Sequence, residues 1–329
     1  MSRLDKLMSA IGPVIVRYVV LKRALGRRAE TAEHILAQVD RFLGHAVDLT
    51  RETFGAWCSS IEPLAASTRR HRMRTVYHLC LFRQRSEPTC FVPDPSQFPP
   101  RQPRPRPYIF SEDEITQLLL VADDLTSSPL SPLCPQVCRL AVVLLYTTGL
   151  RRAETVRLKL SDYNADECVL LVRESKFYKS RLIPLSDDAA GELDRYLKQR
   201  CQLGFPSDAD SPLLLHNHGG LTGYTGPGFG QLMRRLFRAT GIRNSAGRSP
   251  RVHDLRFTFA VHALLRWYRA GVNVQARLPA LSTYMGHASI VSTQYYLTFV
   301  DAVAEAAGER FYKHCSRFLP TGSFEGGAR

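Results

Sequence analysis

The chain has 329 residues, 44% of them hydrophobic, which is enough for more than one ordinary domain core and excludes wholesale disorder. Its 44 Lys+Arg against 30 Asp+Glu leave a net charge of +14, an excess that points to a polyanionic partner, nucleic acid before a membrane surface. The apolar run from Ile11 to Leu21 is broken by Pro13 and Arg17, is too short to span a bilayer, and is followed by no small-residue cleavage site, so no membrane partner is expected.

The eight cysteines form no CxxC pairs. Cys134 and Cys138 lie four apart beside prolines without a second half-site, so no metal is expected. Without a secretory signal the thiols are expected to be reduced and the chain cytoplasmic.

Charge is unevenly distributed. Residues 1–107 hold 18 Lys+Arg against 9 Asp+Glu, and the rest holds 26 against 21. An arm that tracks a phosphate backbone in front of a more specialised body has this pattern. Residues 1–25 read as a helix or an irregular lead-in. Thr31 caps a helix over 32–43, with Ile35, Val39, Phe42 and Leu43 as its apolar stripe. Thr50 and Glu52 open a second helix through Trp57. Ser67-Thr68 starts a third, with Arg69, Arg70, Arg72 and Arg74 near its beginning. Arginine there opposes the helix dipole, so a phosphate-contacting face explains the cluster better than helix stabilisation does, though a solvated basic face has the same sequence.

Residues 88–107 contain eight prolines interleaved with Arg101, Arg104 and Arg106. They cannot be helical and read as an extended linker whose arginines could follow a phosphate strand. The expected organisation is therefore a helical domain over 1–87 suited to nucleic acid, the linker over 88–107, a second domain over 108–318 and a flexible tail over 319–329.

The second domain opens with a capping box, Ser111 with Glu114, on a helix through Ala122. A deeply apolar helix follows over 135–147 and stops at Thr148-Gly149. Val169–Val172 and Arg181–Leu185 read as strands, with Ser175-Lys176-Phe177-Tyr178-Lys179-Ser180 at the hairpin tip. Helices are expected near 187–202, 225–240, 253–269, 275–287 and 290–315, with a glycine-rich loop over 216–230. The fold class is mainly α with a small antiparallel β-sheet (α+β).

Breaking a phosphodiester without a metal requires cationic multi-donor groups on the non-bridging oxygens, an in-line nucleophile and a proton donor for the leaving oxygen. Guanidinium meets the first need because it is planar, bidentate and always charged. Arg151, Lys176, His253, Arg256, His287 and Tyr296 could fill these roles. Taken singly each has an ordinary explanation: Arg151 as an ion-pair partner of Glu154, Tyr296 as a core aromatic, Lys176 as an exposed loop residue. Their order along one chain favours a single phosphate-handling site.

In that order the chain resembles the tyrosine recombinases of the phage integrase family. Tyr146-Thr147-Thr148-Gly149-Leu150-Arg151 with Glu154 is similar to the box of the first catalytic arginine. Ser175-Lys176 through Leu185 resembles the lysine hairpin. His253-Asp254-Leu255-Arg256 resembles the histidine and second-arginine box, and Met285-Gly286-His287 through Tyr296 the final histidine and the nucleophile. The front of the chain resembles the family's core-binding domain more loosely.

The resemblance implies that Tyr296 attacks the scissile phosphate to give a 3′-phosphotyrosyl link, with Arg151 and Arg256 stabilising the pentacoordinate phosphorus. Lys176 would protonate the leaving 5′-oxygen, His253 would assist as acid or base, and His287 would donate to a phosphate oxygen. No cofactor is implied. The implied partners are double-stranded DNA with inverted half-sites and a homo-tetramer on that DNA, with accessory or sister recombinases, in a nucleoid-associated setting. Integration, excision or transposition of a mobile element is the expected use.

Phe257 stands where many relatives have a second histidine, the stretch 264–280 is longer than usual, Tyr295 adjoins Tyr296, and Lys179 competes with Lys176. A segment over 300–318 with Val303, Ala306, Ala307, Phe311 and Tyr312 apolar reads as a helix that docks on a neighbouring subunit. Two other functions share much of this pattern: a DNA-binding protein with the same fold but no strand exchange, and a type IB topoisomerase-like nicking-closing enzyme.

Overall fold

The structure is a computed structural model that describes residues 3–27, 29–103, 105–173, 180–217, 220–287, 289 and 291–297. It is mainly α-helical with small antiparallel sheets, the fold class expected from the sequence. It divides into two compact units, Met1–Pro105 and Arg106–Arg329. Among the described residues no helix is long and apolar enough to cross a membrane.

The first unit contains α1 (Gly12–Ala24), α2 (Glu30–Leu43), α3 (Arg51–Ser60) and α4 (Ala66–Arg83). Helices α1, α2 and α4 pack on one another around Ile15, Val19, Leu36, Val39, Val76 and Leu79. Two starts differ from expectation: α2 begins at Glu30 and α4 at Ala66, so Thr31 and Ser67-Thr68 lie in first turns instead of capping them. Phe42, expected in the α2 stripe, is exposed; Ile35, Leu36, Val39 and Leu43 form the buried face. Thr50 does cap α3, in a reciprocal box with Thr53. The buried Asp40 carboxylate accepts from the backbone N–H of Met8 and Ser9, both at 2.9 Å, which ties the lead-in to α2.

The proline-rich stretch is not extended throughout. Pro95–Gln97 form a 3-10 turn, Phe98 is buried in the core of the helical unit, and Arg70 donates to the Pro99 carbonyl at 2.6 Å. One aromatic side chain able to enter an apolar core outweighs the stiffness of the surrounding prolines. The stretch 88–99 is therefore a strap on its own unit.

The second unit is built around α6 (Cys134–Thr148), buried along most of its length and packed by α5 (Glu112–Asp123), and, further along the chain, by α8 (Asp187–Gln202), α9 (Gly226–Ala239) and α10 (Val252–Arg269). The apolar residues of α6 cover most of its surface and are buried, while Arg139 pairs with Asp123 and Glu192 at the edge, so the helix sits at the centre of the unit. The Ser111–Glu114 capping box opens α5 as expected. A short α7 (Arg152–Thr155) precedes a sheet in the order β1 (Tyr163–Asn164), β2 (Val169–Val172), β3 (Arg181–Pro184). The antiparallel register pairs Val172 with Arg181, which places Arg181 at the end of β3 nearest the hairpin tip.

The expected loop over 216–230 is instead a two-stranded hairpin, β4 (Leu215–Asn217) with β5 (Leu221–Gly223), followed by the start of α9. Strands this short between glycines carry too little alternation to be read. The last described elements are α11 (Val274–Tyr284) and α12 (Val291–Leu297). A second apolar cluster forms where α10, α11 and α12 meet, with Phe259, Leu264, Leu278, Leu281, Met285 and Tyr296. The expected hairpin tip with Lys176 and Lys179, Arg104, the side chain of Tyr295, the helix expected over 300–318 and the tail lie outside the described residues.

Candidate active site

Helix α6 stops at Gly149, whose φ of +62° is left-handed. A Cβ there would stand 2.5 Å from the Phe259 ring, so both backbone and space require glycine. The turn delivers Arg151 to the start of α7. The Glu154 side chain accepts from the Arg151 backbone N–H at 2.9 Å and from its Nη1 at 2.7 Å. The same carboxylate accepts from Arg181 Nη2 at 2.9 Å and Nη1 at 3.2 Å. Burial alone would push the Glu154 pKa up. The hydrogen bonds and charge of Arg181, joined by Arg151, win and hold it down at about 2.

Helix α10 carries the second arginine. Asp254 accepts from the Arg251 backbone N–H at 2.8 Å and caps the helix. Arg256, 1% exposed, is then directed into the unit. Its Nη1 donates to the Gly149 carbonyl, and its Nη2 lies 2.8 Å from both the Met285 carbonyl and His287 Nε2. Burial pushes the Arg256 pKa down to about 10, so it stays charged at neutral pH.

The end of α11 fixes the third segment. His287 N–H donates to the Ser282 carbonyl and Gly286 N–H to the Thr283 carbonyl, both at 2.9 Å, with Gly286 at φ +66°. This is a Schellman C-cap, and it ends the helix at Tyr284, short of the expected 287. Arg151 Nη2 donates to the Gly286 carbonyl at 2.6 Å, so the two guanidiniums hold consecutive carbonyls, Met285 and Gly286. Arg181 Nε holds the Tyr284 carbonyl at 2.9 Å. The cap thus lies in a cradle of three arginines.

His287 stacks on Tyr296, with ring centroids 5.8 Å apart, and its Nε2 lies 3.5 Å from the Tyr296 hydroxyl. Its Nδ1 lies 2.8 Å from Thr293 Oγ1. Burial, then the charges of Arg256, Arg151 and Arg181, push the His287 pKa down to about 3. Because arginine only donates, Nε2 accepts from Arg256.

The structure brings Arg151, Arg256, His287 and Tyr296 together. His253 stands at the rim with an exposed face. The Phe257 ring lies edge-on to His253 at 5.2 Å and to Tyr296 at 4.9 Å. Desolvation, then Arg256, push the His253 pKa down to about 4. In the helical unit Arg74 is exposed and Arg72 half-buried, Arg70 is engaged by Pro99, and Arg69 Nε is buried without a hydrogen-bond partner. Arg101 and Arg106 are exposed. Arg181 and Thr293 were missed by sequence reasoning; nothing in a strand or helix pattern distinguishes them before the segments are placed side by side.

The phage integrase family model matches residues 109–301. The chain is 32% identical, over 88% of its length and 93% of the other's, to y4rB of Sinorhizobium fredii, whose name places it among integrases and recombinases. It is 32% identical to the tyrosine recombinase XerD of Caulobacter vibrioides, over 83% of this chain and 84% of that one. Its fold is similar to the Tn1549 transposon integrase in complex with a circular intermediate DNA, at a TM-score of 0.61 and 19% identity, covering 91% of this chain and 99% of that one. It is also similar to a lambda integrase dimer bound to a COC′ core site, at 0.57 and 18%, covering 86% and 94%. The chain belongs to the phage integrase family, the tyrosine recombinases, which break and rejoin DNA.

Proposed function

We propose that this protein performs site-specific recombination by attacking a DNA phosphodiester with the Tyr296 hydroxyl. The bond from phosphorus to the 5′-oxygen breaks as the bond to tyrosine forms, leaving a 3′-phosphotyrosyl ester and a 5′-hydroxyl. A partner 5′-hydroxyl then attacks the phosphorus, its bond to phosphorus forming as the bond to Tyr296 breaks, and because one ester replaces another at each step no external energy source is consumed. Arg151 and Arg256 clamp the non-bridging oxygens, Lys176 protonates the leaving oxygen, His253 assists at the rim as acid or base, and His287 donates to a phosphate oxygen.

The observation that carries this reading is the convergence of two guanidiniums on the Met285 and Gly286 carbonyls, with His287 2.8 Å from Arg256 and 3.5 Å from the Tyr296 hydroxyl. A nicked suicide duplex tests it. The wild-type chain gives a covalent protein–DNA adduct, and Tyr296→Phe binds the duplex but gives none. An adduct on Tyr296→Phe refutes Tyr296 as the nucleophile.

We further propose that the front unit, through Arg69, Arg70, Arg72 and Arg74 with Arg101, Arg104 and Arg106, grips duplex DNA while the body from about residue 108 does the chemistry. Four chains assemble on two duplexes with inverted half-sites, in the cytoplasm at the nucleoid, in the service of a mobile element. The integrase/recombinase name of a relative 32% identical over 93% of its length supports that use. Sequencing the DNA trapped on Tyr296 tests it: element ends support it, and a single chromosomal resolution site refutes it.

A further inference from the structure

Arg181 pairs with Val172 across the sheet, and its side chain is only 11% exposed. Its guanidinium meets Glu154 as a fork, with Nη2 donating to Oε2 at 2.9 Å and Nη1 to Oε1 at 3.2 Å. Its Nε donates to the Tyr284 carbonyl at the end of α11, at 2.9 Å. Gly286 leaves room for it, because a Cβ there would stand 2.7 Å from Arg181 Nη1. We infer that Arg181 is a positioning residue for Arg151: by forking onto Glu154 it confines Arg151 to a single side-chain bond with that carboxylate and leaves the rest of the Arg151 guanidinium to receive a phosphate. The inference rests on the proposed role of Arg151 as a phosphate clamp.

A carboxylate offers about four places to hydrogen-bond donors, and those of Glu154 are filled. Arg181 takes two of them. Arg151 takes the others, with Nη1 at 2.7 Å from Oε1 and its backbone N–H at 2.9 Å from Oε2. Arg151 therefore meets the carboxylate through one side-chain nitrogen, where an arginine facing an unshared carboxylate commonly forms a fork of two bonds. A guanidinium carries about five N–H groups. One on Arg151 is held by Glu154, and one on Nη2 by the Gly286 carbonyl at 2.6 Å. The Nε–H and the second N–H of each Nη have no protein partner among the described residues, and the side chain is 27% exposed. Those donors remain for the oxygens of a phosphate. Charge divides in the same way. Against the burial of the carboxylate, Arg181 contributes more than Arg151 to holding Glu154 ionised. Without Arg181, a buried carboxylate with half its places empty has Arg151 as its nearest cation. A fork onto Arg151 then satisfies the carboxylate, takes a donor that a phosphate needs and cancels the charge of the clamp.

The rate of adduct formation by the full chain at saturating nicked duplex tests this. In Arg181→Gln it should fall on the order of 100-fold, the loss typical when one donor to a developing oxyanion is removed. Adding Glu154→Gln to that variant removes the competing charge and should recover at least about tenfold, a coupling of ordinary size within one network. A purely structural brace predicts the opposite, because the second substitution removes a further buried ion pair. Arg181→Lys keeps a positive charge beside Glu154 but cannot fork, so its rate should lie between those of Arg181→Gln and the wild type. With that charge kept, it also serves where Arg181→Gln does not fold. A crystal structure of Arg181→Gln without DNA should show Arg151 making two side-chain bonds to Glu154. A double variant no faster than Arg181→Gln, a wild-type rate in Arg181→Lys, or a single side-chain bond from Arg151 to Glu154 in that crystal structure overturns the inference. Arg151→Gln separates it from the reading on which it rests. A wild-type rate in Arg151→Gln refutes the clamp itself, whereas a lost adduct there beside a wild-type rate in Arg181→Gln refutes the positioning role alone.

Discussion

Replacing Glu154 by Gln keeps the shape of the side chain and removes its charge. The Glu154 side chain is 2% exposed and receives Arg151 and Arg181 together. Folding lowers its pKa from an ordinary 4.5 to about 2. The folded value lies below the unfolded one, so the stability it contributes is fully present above about pH 4.5 and is lost as pH falls toward 2. Linkage converts the two values into about 3 kcal/mol at neutral pH, of which about 1 kcal/mol remains at pH 3. Breaking a buried ion pair on one side typically costs about 3–5 kcal/mol, which agrees.

The assay is urea unfolding of the wild type and Glu154→Gln between pH 7 and pH 3. The two tryptophans are Trp57 and Trp267, one in each unit. In a Trp57→Phe background, Trp267 fluorescence therefore reports the unit that contains the site. The wild type should exceed Glu154→Gln by about 3 kcal/mol at pH 7, and the gap should narrow to about 1 kcal/mol at pH 3. A gap that stays constant from pH 7 to pH 3 would refute the assignment of Glu154 as the charged anchor of both arginines.

Two further outcomes follow from the geometry. Gly149→Ala must adopt φ +62° and place its Cβ 2.5 Å from Phe259, so it should destabilise the unit by at least about 2 kcal/mol in the same assay; a loss below about 0.5 kcal/mol would contradict the close approach. His253, held down at about 4, should remain neutral at pH 5.5 in an NMR titration, and because the unfolded ring takes up protons first, stability should fall as pH drops from about 6.5 to 4. A midpoint near 6.5 would show that neither desolvation nor Arg256 acts on it.

Much of this architecture was legible because it is locally encoded. The α5 capping box, the apolar α6, the pair β2–β3 and helices α8 and α10 all carry their signal within a few turns. Arg151, Arg256, His287 and Tyr296 were legible for a different reason: each sits in a short box, and the order of boxes is informative where a single residue is not. What escaped depends on register or on contacts distant in sequence. Leu36 and Phe42 are equally apolar, and only the packing of α1 and α4 decides which is buried. Phe98 gives no sign within a proline-rich stretch that it will enter a core. Arg181 reads as one more residue of a strand until its register with β2 and the cap at Gly286 place it on Glu154, 27 residues away. The bond from Arg151 to Gly286 spans 135 residues, a pairing no local pattern could supply.

The balance of charge in the cradle bears on the proposed chemistry. Arg151, Arg181 and Arg256 bring three positive charges, Glu154 removes one, and the neutral state of His253 and His287 adds none. The described part of the site therefore holds about two net positive charges before any DNA arrives. A phosphodiester carries one negative charge, and the pentacoordinate arrangement formed when tyrosine attacks carries about two. Binding strength that grows between those two states accelerates the step, whereas binding both equally would not. The arginines are already fixed by carbonyls and by Glu154, so little reorganisation is needed as the charge develops. Protonating both histidines would strengthen ground-state attraction for any polyanion and blur that match. The burial and guanidinium charge that keep His287 neutral thus serve discrimination as well as packing. Long-range attraction to DNA can be left to the basic front third of the chain, where 18 Lys+Arg face 9 Asp+Glu.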